Sequence, residues 1–178
     1  MVLNGMYHIS KGDEYYTPKY AWEMIQNFIP KDKVIYEPFN NKNHKKSQEN
    51  HKHLSEVGCK MRELIPFDPE TGEGDFFKDS GEGWDICVTN PPFSIKQKIV
   101  KRLVELDKPF IMIAPTATIT NKYIYELGED LQVIIPKRRI DFYHEANKDK
   151  KETGCCFPVV FICYKIGLEK SLTLADRT

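Results

Sequence analysis

A short polar turn after an apolar run is the stretch of this sequence best suited to chemistry. Residues 86–88 are apolar and predict a buried strand, and the sequence Asn-Pro-Pro-Phe follows at 90–93. Neither proline supplies an N–H to a strand ladder, so the strand must end there in a stiff turn. The turn presents a side-chain amide, carbonyl oxygens and an aromatic ring, which together suit a planar base that carries an exocyclic amine.

Other short apolar runs predict the sheet that positions this turn. They lie at residues 34–39, 59–65, 110–114, 131–135 and 157–164. Helical spacing of apolar residues separates most of them, which predicts an α/β fold with a mostly parallel sheet and helices on both faces. No helical pattern separates the last two strands, so we expect an antiparallel hairpin at one edge. Open sheets of this kind bind ligands at the carboxyl ends of their strands.

Capping signals predict where the helices begin. Thr17 is a good N-cap and Pro18 suits the first helical position, so a helix should start there. Ser94 is the candidate N-cap of a helix that runs to about residue 106. Residues 44–55 are very polar and predict only a weak crossover helix.

Composition indicates one soluble domain over residues 1–178, with loosely structured ends at 1–14 and 167–178. The formal net charge is +0, so nucleic-acid binding must come from a local patch. Five cysteines, an odd number, favour reduced thiols and an intracellular, cytoplasmic location. The longest apolar run is too short to span a bilayer, so no membrane partner is expected.

Basic residues after the strand at 131–135 are the best candidates for nucleic-acid contacts, because they follow a strand end on the predicted ligand side. These are Lys137, Arg138 and Arg139. Weaker candidates are Lys42, Lys45, Lys46, Lys148, Lys150 and Lys151. His44, His51 and His53 lack the spacing of helical metal ligands, so no metal site is predicted.

Four motifs in chain order carry a family resemblance. They are Tyr-Thr-Pro at 16–18, Glu-Pro-Phe at 37–39, Gly-Asp-Phe-Phe at 74–77 and Thr-Asn-Pro-Pro-Phe-Ser at 89–94. Over residues 15–165 the chain resembles the S-adenosylmethionine-dependent DNA adenine N6-methyltransferases of the small phage and large-virus type. The resemblance implies a Rossmann-like class I methyltransferase fold, with S-adenosylmethionine as cofactor and the N6 amine of adenine in DNA as methyl acceptor.

The resemblance also implies roles for individual residues. The catalytic ones would be Asn90, Pro91, Pro92 and Phe93. The Asn90 side chain and the Pro91 carbonyl would accept the two hydrogens of the target amine, and Phe93 would stack on the extruded base. The cofactor would contact Tyr16, Thr17, Pro18, Glu37, Pro38, Phe39, Asn40, Asp75 and Phe76. Glu63 and Asp68 are alternatives for the carboxylate that binds its ribose.

Two departures from the family pattern bear on function. The family usually has glycines after the acidic-Pro-Phe of the first strand, whereas Asn-Asn-Lys-Asn stands here at 40–43. No segment is long enough for a target-recognition domain, so specificity would be low or would come from loops or a partner. A homodimer, a separate specificity subunit, and single- or double-stranded DNA stay open. The alternative functions are an RNA or protein-amide methyltransferase, or a weakened relative that serves as a binding subunit.

Overall fold

The computed structural model describes residues 2–3, 7–8, 15–39, 48–68, 70–144 and 157–176. Within them, seven strands form one central sheet. These strands are β4 (Val34–Tyr36), β5 (Lys60–Met61), β6 (Ile86–Thr89), β7 (Phe110–Pro115), β8 (Leu131–Pro136), β10 (Val159–Tyr164) and β11 (Leu172–Ala175). Two separate pairs join β1 (Val2–Leu3) to β2 (Tyr7–His8), and β3 (Tyr15–Tyr16) to β9 (Tyr143–His144).

The central sheet is mostly parallel, as predicted. Its order is β5-β4-β6-β7-β10-β8-β11, and β5, β4, β6 and β7 run in one direction. Strand β10 is antiparallel to both neighbours, which confirms the predicted antiparallel pairing with β8. This hairpin lies next to the edge rather than at it, because β11 adds one more strand outside β8 and β10 is the inner strand, between β7 and β8. All six residues of β10 are buried, and a strand that is apolar on both faces requires cover on both sides.

The end of the chain is more ordered than expected. Residues from 167 onward were predicted to be loosely structured, yet Leu172–Ala175 form β11, parallel to β8. The Val133 N–H donates to the Ser171 carbonyl at 2.7 Å, and the Lys137 N–H donates to the Ala175 carbonyl at 2.8 Å. A four-residue strand with two exposed side chains leaves little hydrophobic signal in the sequence.

Helices cover both faces of the sheet. They are α1 (Lys19–Ile25), α2 (Glu49–Glu56), α3 (Lys96–Glu105) and α4 (Lys122–Tyr125), with 3₁₀ turns at Phe76–Lys78, Phe93–Ile95, Thr116–Thr120 and Gly128–Asp130. One buried cluster joins α1 and α2 to Ile111 and Ile113 of β7. The other joins α3 and α4 to Phe110 and Met112, which point to the opposite face of the same strand. No helix of the described residues is long and apolar enough to cross a membrane.

Two predicted caps do not act as caps. Pro18, with extended backbone, occupies the N-cap of α1, and the Thr17 side chain makes no capping bond. Ile95, and not Ser94, is the N-cap of α3. The stiff turn before α3 explains the second difference. The Ile95 N–H donates to the Pro92 carbonyl at 3.2 Å, so a tight 3₁₀ turn containing Ser94 precedes the helix.

Candidate active site

Two motifs meet at the carboxyl edge of the sheet. Glu37 directly follows β4 and Asn90 directly follows β6, and these adjacent strands are parallel. The Thr89 hydroxyl donates to Oε1 of Glu37 at 2.7 Å, and both residues are buried. This hydrogen bond holds the loop after β4 against the residue that precedes Asn90. Thr89 belongs to the sequence motif, but its bond to Glu37 was not predicted.

The Asn-Pro-Pro-Phe turn leaves the sheet at this point. Asn90, Pro92 and Phe93 are half-buried and Pro91 is buried. The Phe93 ring packs edge-on against the ring of Phe157, with 5.6 Å between centroids. The Phe93 carbonyl accepts a hydrogen bond from Nζ of Lys96 at 3.0 Å. The turn is therefore supported from both sides, by the start of α3 and by the segment that leads into β10.

An aromatic cluster lies beside the loop that follows β4. The buried Phe76 ring is 5.3 Å from the ring of Phe39 and 6.4 Å from that of Tyr36. Asp75 caps the 3₁₀ turn at Phe76–Lys78, because its Oδ1 accepts the Phe77 N–H at 3.0 Å. The structure thus brings Phe39 and Phe76, which come from two different motifs, into contact. It also adds Tyr36, whose pKa is raised by burial and which stays neutral.

An open cleft of about 220 Å³ is lined by Tyr36, Glu63 and Asp75 together, whereas Phe39 and Phe76 are not among its lining residues. Asp68 is not among its lining residues. Its Oδ1 accepts the Glu70 N–H at 2.9 Å, and its backbone bonds Gly72 and Glu73, so it organises its own loop. Of the two carboxylates left as alternatives by the sequence, Glu63 is the one that faces the cleft.

A polar network not found in the sequence forms one wall of the cleft. The Arg62 guanidinium pairs with Asp79 and lies over the Tyr36 ring, 4.6 Å from its centroid. The Trp84 Nε1 donates to Asp79 at 2.9 Å, and the Gly81 N–H donates at 2.8 Å. Burial alone would raise the pKa of Asp79, but the hydrogen bonds from Trp84, Arg62 and Gly81 outweigh it and lower the pKa.

The segment with the Thr-Pro motif is held by β9. Tyr16 pairs with Tyr143 across β3 and β9, and the Asp141 N–H donates to the Tyr20 hydroxyl at 2.7 Å. Tyr16, Thr17 and Pro18 are buried. The Thr17 hydroxyl has no hydrogen-bond partner among the described residues. A buried hydroxyl is costly without a partner, so this atom is suited to contact a bound molecule.

Lys137, Arg138 and Arg139 follow the carboxyl end of β8 and are all exposed. They therefore lie on the same edge of the sheet as Glu37 and Asn90. Nζ of Lys137 is 3.5 Å from a carboxylate oxygen of Asp176. Ile140 and Phe142 immediately after the cluster are buried and anchor this segment in the core.

Some predicted positions lie outside the described residues. They are Asn40, the rest of the loop at 40–43, and the lysines at 42, 45, 46, 148, 150 and 151. Among the described residues, no group of three or more His, Cys, Asp or Glu side chains is arranged to hold a metal ion.

Comparison with known proteins places the chain in a family. Residues 14–155 match the family described as adenine-specific methyltransferase EcoRI, and all four sequence motifs fall within this range. The chain belongs to the EcoRI adenine-specific methyltransferase family. The parallel sheet, with one antiparallel strand inserted near its end and helices on both faces, is the Rossmann-like class I methyltransferase fold expected from the sequence.

Two known proteins are similar to this member of the EcoRI methyltransferase family. The Type II methyltransferase M.EcoRI of Escherichia coli is 35% identical over 66 residues, which are 35% of this chain and 20% of that protein. The chain therefore spans about a fifth of the curated relative that it matches. A Listeria monocytogenes protein assigned as a class I S-adenosylmethionine-dependent methyltransferase aligns over 90% of this chain and 65% of its own, with 11% identity and a TM-score of 0.43.

Proposed function

We propose that the protein transfers a methyl group from S-adenosylmethionine to the N6 amine of adenine in DNA. One observation carries the proposal, namely the 2.7 Å hydrogen bond from Thr89 to Glu37. It joins the loop at 37–39, which resembles a cofactor-binding loop, to the turn at 90–93, which resembles a turn that binds the target amine. A methyl-transfer site requires both ligands at one place, because donor and acceptor atoms must be held in contact and in line.

The residues at the carboxyl edge fit S-adenosylmethionine. Its adenine amine suits the Asp75 carboxylate, and its ring would lie against the half-buried Phe39, which packs on the buried Phe76. Its ribose hydroxyls suit Glu63, which lines the same cleft as Asp75. The buried Thr17 hydroxyl would contact the methionine end. When bound, the cofactor supplies an electrophilic methyl group on a sulfonium.

The Asn-Pro-Pro-Phe turn would hold the target base. The Asn90 side-chain oxygen and the Pro91 carbonyl accept the two amine hydrogens, which directs the nitrogen lone pair towards the methyl group. Phe93 would stack on the target base once the base has flipped out of the DNA duplex. The Phe157 ring packs edge-on against Phe93 and supports it. No side chain would need to remove a proton before attack, and one of the two amine protons would pass to water after the methyl group has been transferred. Cys87 lies on β6, three positions before Asn90. Burial raises the pKa of its thiol, which therefore stays protonated and does not act as a base.

The exposed Lys137, Arg138 and Arg139 would contact phosphates of single- or double-stranded DNA. Such contacts set orientation and salt dependence and carry no base sequence. A loop, a separate specificity subunit or a second copy of the chain would then supply specificity. A DNA substrate would place the protein inside the cell, in the host cytoplasm if the chain is viral.

The proposal is tested by labelled methyl transfer from S-adenosylmethionine, offered in parallel to DNA, RNA and protein. We expect transfer to DNA and a melting temperature that rises with cofactor concentration, as for any ligand of the native state. Transfer to RNA or protein alone would assign a different methyltransferase activity. Absence of both transfer and a melting shift at millimolar cofactor would favour a binding subunit without catalysis.

A further inference from the structure

The carboxylate proposed for the cofactor ribose is not held in place by contacts of its own. Glu63 lies two positions beyond the short strand β5, and its side chain is exposed to the cleft. Among the described residues this side chain makes no hydrogen bond or ion pair. An exposed glutamate can adopt many rotamers, so its reach into the cleft depends on where the backbone places it. The contacts of the preceding residue therefore decide where Glu63 lies.

That preceding residue, Arg62, is anchored through its backbone on two sides. Its N–H donates to the Ile35 carbonyl of β4 at 2.8 Å. Its carbonyl accepts a hydrogen bond from Nε2 of His51 on α2 at 3.0 Å. These bonds hold the backbone against β4 and α2, but they leave the direction of the Arg62 side chain open.

The Arg62 side chain is held in two directions at once. Its planar guanidinium lies over the Tyr36 ring, 4.6 Å from the centroid, and its Nη1 donates to Oδ2 of Asp79. Tyr36 directly precedes Glu37, and Asp79 lies in the loop before β6, so the guanidinium joins the end of β4 to that loop. All three residues line the same cleft as Glu63. A lysine could not both stack and bond in this way, because it lacks the planar fork.

The two carboxylate oxygens of Asp79 have separate partners. Oδ1 accepts the Trp84 Nε1–H at 2.9 Å and the Gly81 N–H at 2.8 Å, whereas Oδ2 accepts from Arg62. The bonds at Oδ1 organise the loop before β6, and the bond at Oδ2 reaches across to the end of β5. An amide in place of the carboxylate can keep the first two bonds, but its NH₂ group cannot accept from a guanidinium. The pair with Arg62 can therefore be removed separately from the bonds that organise the loop.

The Arg62–Asp79 pair is suited to setting geometry. Their side chains are 23% and 8% exposed, so both charges are largely removed from water. In such a pair the desolvation cost offsets much of the attraction, and an apolar pair of similar volume would stabilise the fold as well. The ion pair differs from an apolar pair in fixing the direction of the guanidinium over the Tyr36 ring.

We propose that Asp79 is a positioning residue for the cofactor ribose. It holds Arg62 against Tyr36, and Arg62 thereby sets Glu63 where its carboxylate accepts both ribose hydroxyls. This proposal rests on the proposed function, because its ligand is the proposed cofactor. Loss of the pair leaves the Glu63 carboxylate intact but frees the segment that carries it. The ribose contribution to binding then falls, while the contributions of the adenine and the methionine end remain.

Ribose discrimination, measured by titration calorimetry, tests the proposal. The probes are S-adenosylhomocysteine, which has no methyl group to donate, and its analogue that lacks both ribose hydroxyls. We expect wild type to bind the first on the order of tenfold more tightly than the second, because the hydroxyls donate to a charged acceptor. In Asp79→Asn this ratio should fall to within about threefold, because S-adenosylhomocysteine binds more weakly while the analogue binds as before.

Arg102→Met is the matched control. Nη2 of Arg102 on α3 donates to the backbone carbonyl of Asp79 at 2.9 Å, so this variant loosens the same loop and leaves the ion pair intact. It should melt at a lower temperature than wild type and keep the wild-type ratio. Arg62→Met should lower the ratio as Asp79→Asn does. The double variant should be no worse than either single one, because all of them remove the same pair.

Four results would overturn the proposal, and they are distinguishable. An unchanged ratio in Asp79→Asn would show that Glu63 is set without the pair. A ratio that falls in Arg62→Met but not in Asp79→Asn would make Arg62 a direct ligand contact. An equal fall in Arg102→Met would reduce the role of Asp79 to general stability of the loop. A wild type that binds neither probe would overturn the proposed function and this proposal with it.

Discussion

At the scale of residues, the bond between Thr89 and Glu37 is the contact on which the site depends. We predict that Thr89→Val lowers the free energy of unfolding by about 1–3 kcal/mol, because a buried carboxylate loses a donor and the volume barely changes. Denaturant unfolding measures the loss. Thr120→Val is the matched control, since it removes an exposed hydroxyl bond to the Ala117 carbonyl. Equal losses in the two variants would contradict the importance given to the buried bond.

The ribose carboxylate can be assigned by isosteric substitution. We predict that Glu63→Gln weakens S-adenosylmethionine binding by on the order of tenfold, because hydrogen bonds to a charged acceptor are stronger than those to an amide. Asp68→Asn should change the affinity little, since Asp68 bonds its own loop and an amide oxygen can still accept the Glu70 N–H. Titration calorimetry on both variants decides the assignment, and a larger loss in Asp68→Asn would reverse it.

The sequence marked single residues of the kinds that the proposed chemistry would need. Asn90 and Asp75 stand in motifs whose prolines and aromatics mark them, and the structure brings both to one edge. Arg62 and Asp79 were missed, because an arginine and an aspartate 17 positions apart carry no local pattern. Their pairing depends on how β5 and the loop before β6 are folded together, which is tertiary information.

At the scale of elements, the loop that leads into the 3₁₀ turn at Phe76–Lys78 requires a glycine at position 74, Gly74. It has a φ of +71°, and an added Cβ would lie 2.7 Å from the Ile65 carbonyl oxygen. We predict that Gly74→Ala destabilises the protein by more than the roughly 1–2 kcal/mol expected for left-handed backbone alone, and that it weakens cofactor binding. Gly83→Ala is the control, with a φ of +74° and nothing within 4 Å. Thermal unfolding with and without S-adenosylmethionine compares them.

The network around Asp79 makes stability depend on pH. Its pKa in the folded protein is below the unfolded value of about 3.9, so its contribution is complete above that value and is lost as pH falls through the folded pKa. We predict that Asp79→Asn is less stable than wild type at neutral pH, and that the gap narrows below about pH 4. Unfolding midpoints measured from pH 7 to pH 2 test this. A gap that is constant with pH would contradict it.

Element types were easier to predict than their ends. Apolar runs located β4, β6, β7, β8 and β10, because buried strands need hydrophobic residues on both faces. The caps predicted at Thr17 and Ser94 were wrong, because Pro18 is the N-cap of α1 and the 3₁₀ turn at Phe93–Ile95 makes Ile95 the N-cap of α3. Hydrogen bonds at helix ends depend on such local geometry, which composition alone does not determine.

At the scale of the molecule, strand direction follows from the alternation of strands and helices, and it explains why distant motifs converge. The motifs at 37–39 and 89–94 follow adjacent parallel strands, so their side chains emerge at one edge. The presence of β11 outside β8 was not predictable in this way. It depends on which surface remains uncovered after the other strands have packed.

In the proposed reaction, Asn90 presents an adenine amine to the methyl donor. The most direct measurement is mass analysis of nucleosides from single- and double-stranded DNA treated with the protein and S-adenosylmethionine. Wild type should yield N6-methyladenine, and Asn90→Ala should lower the rate by at least on the order of a hundredfold while still binding cofactor. Asn27→Ala, an exposed residue away from the site, should match wild type. Methylation of another base, or full activity in Asn90→Ala, would contradict the account.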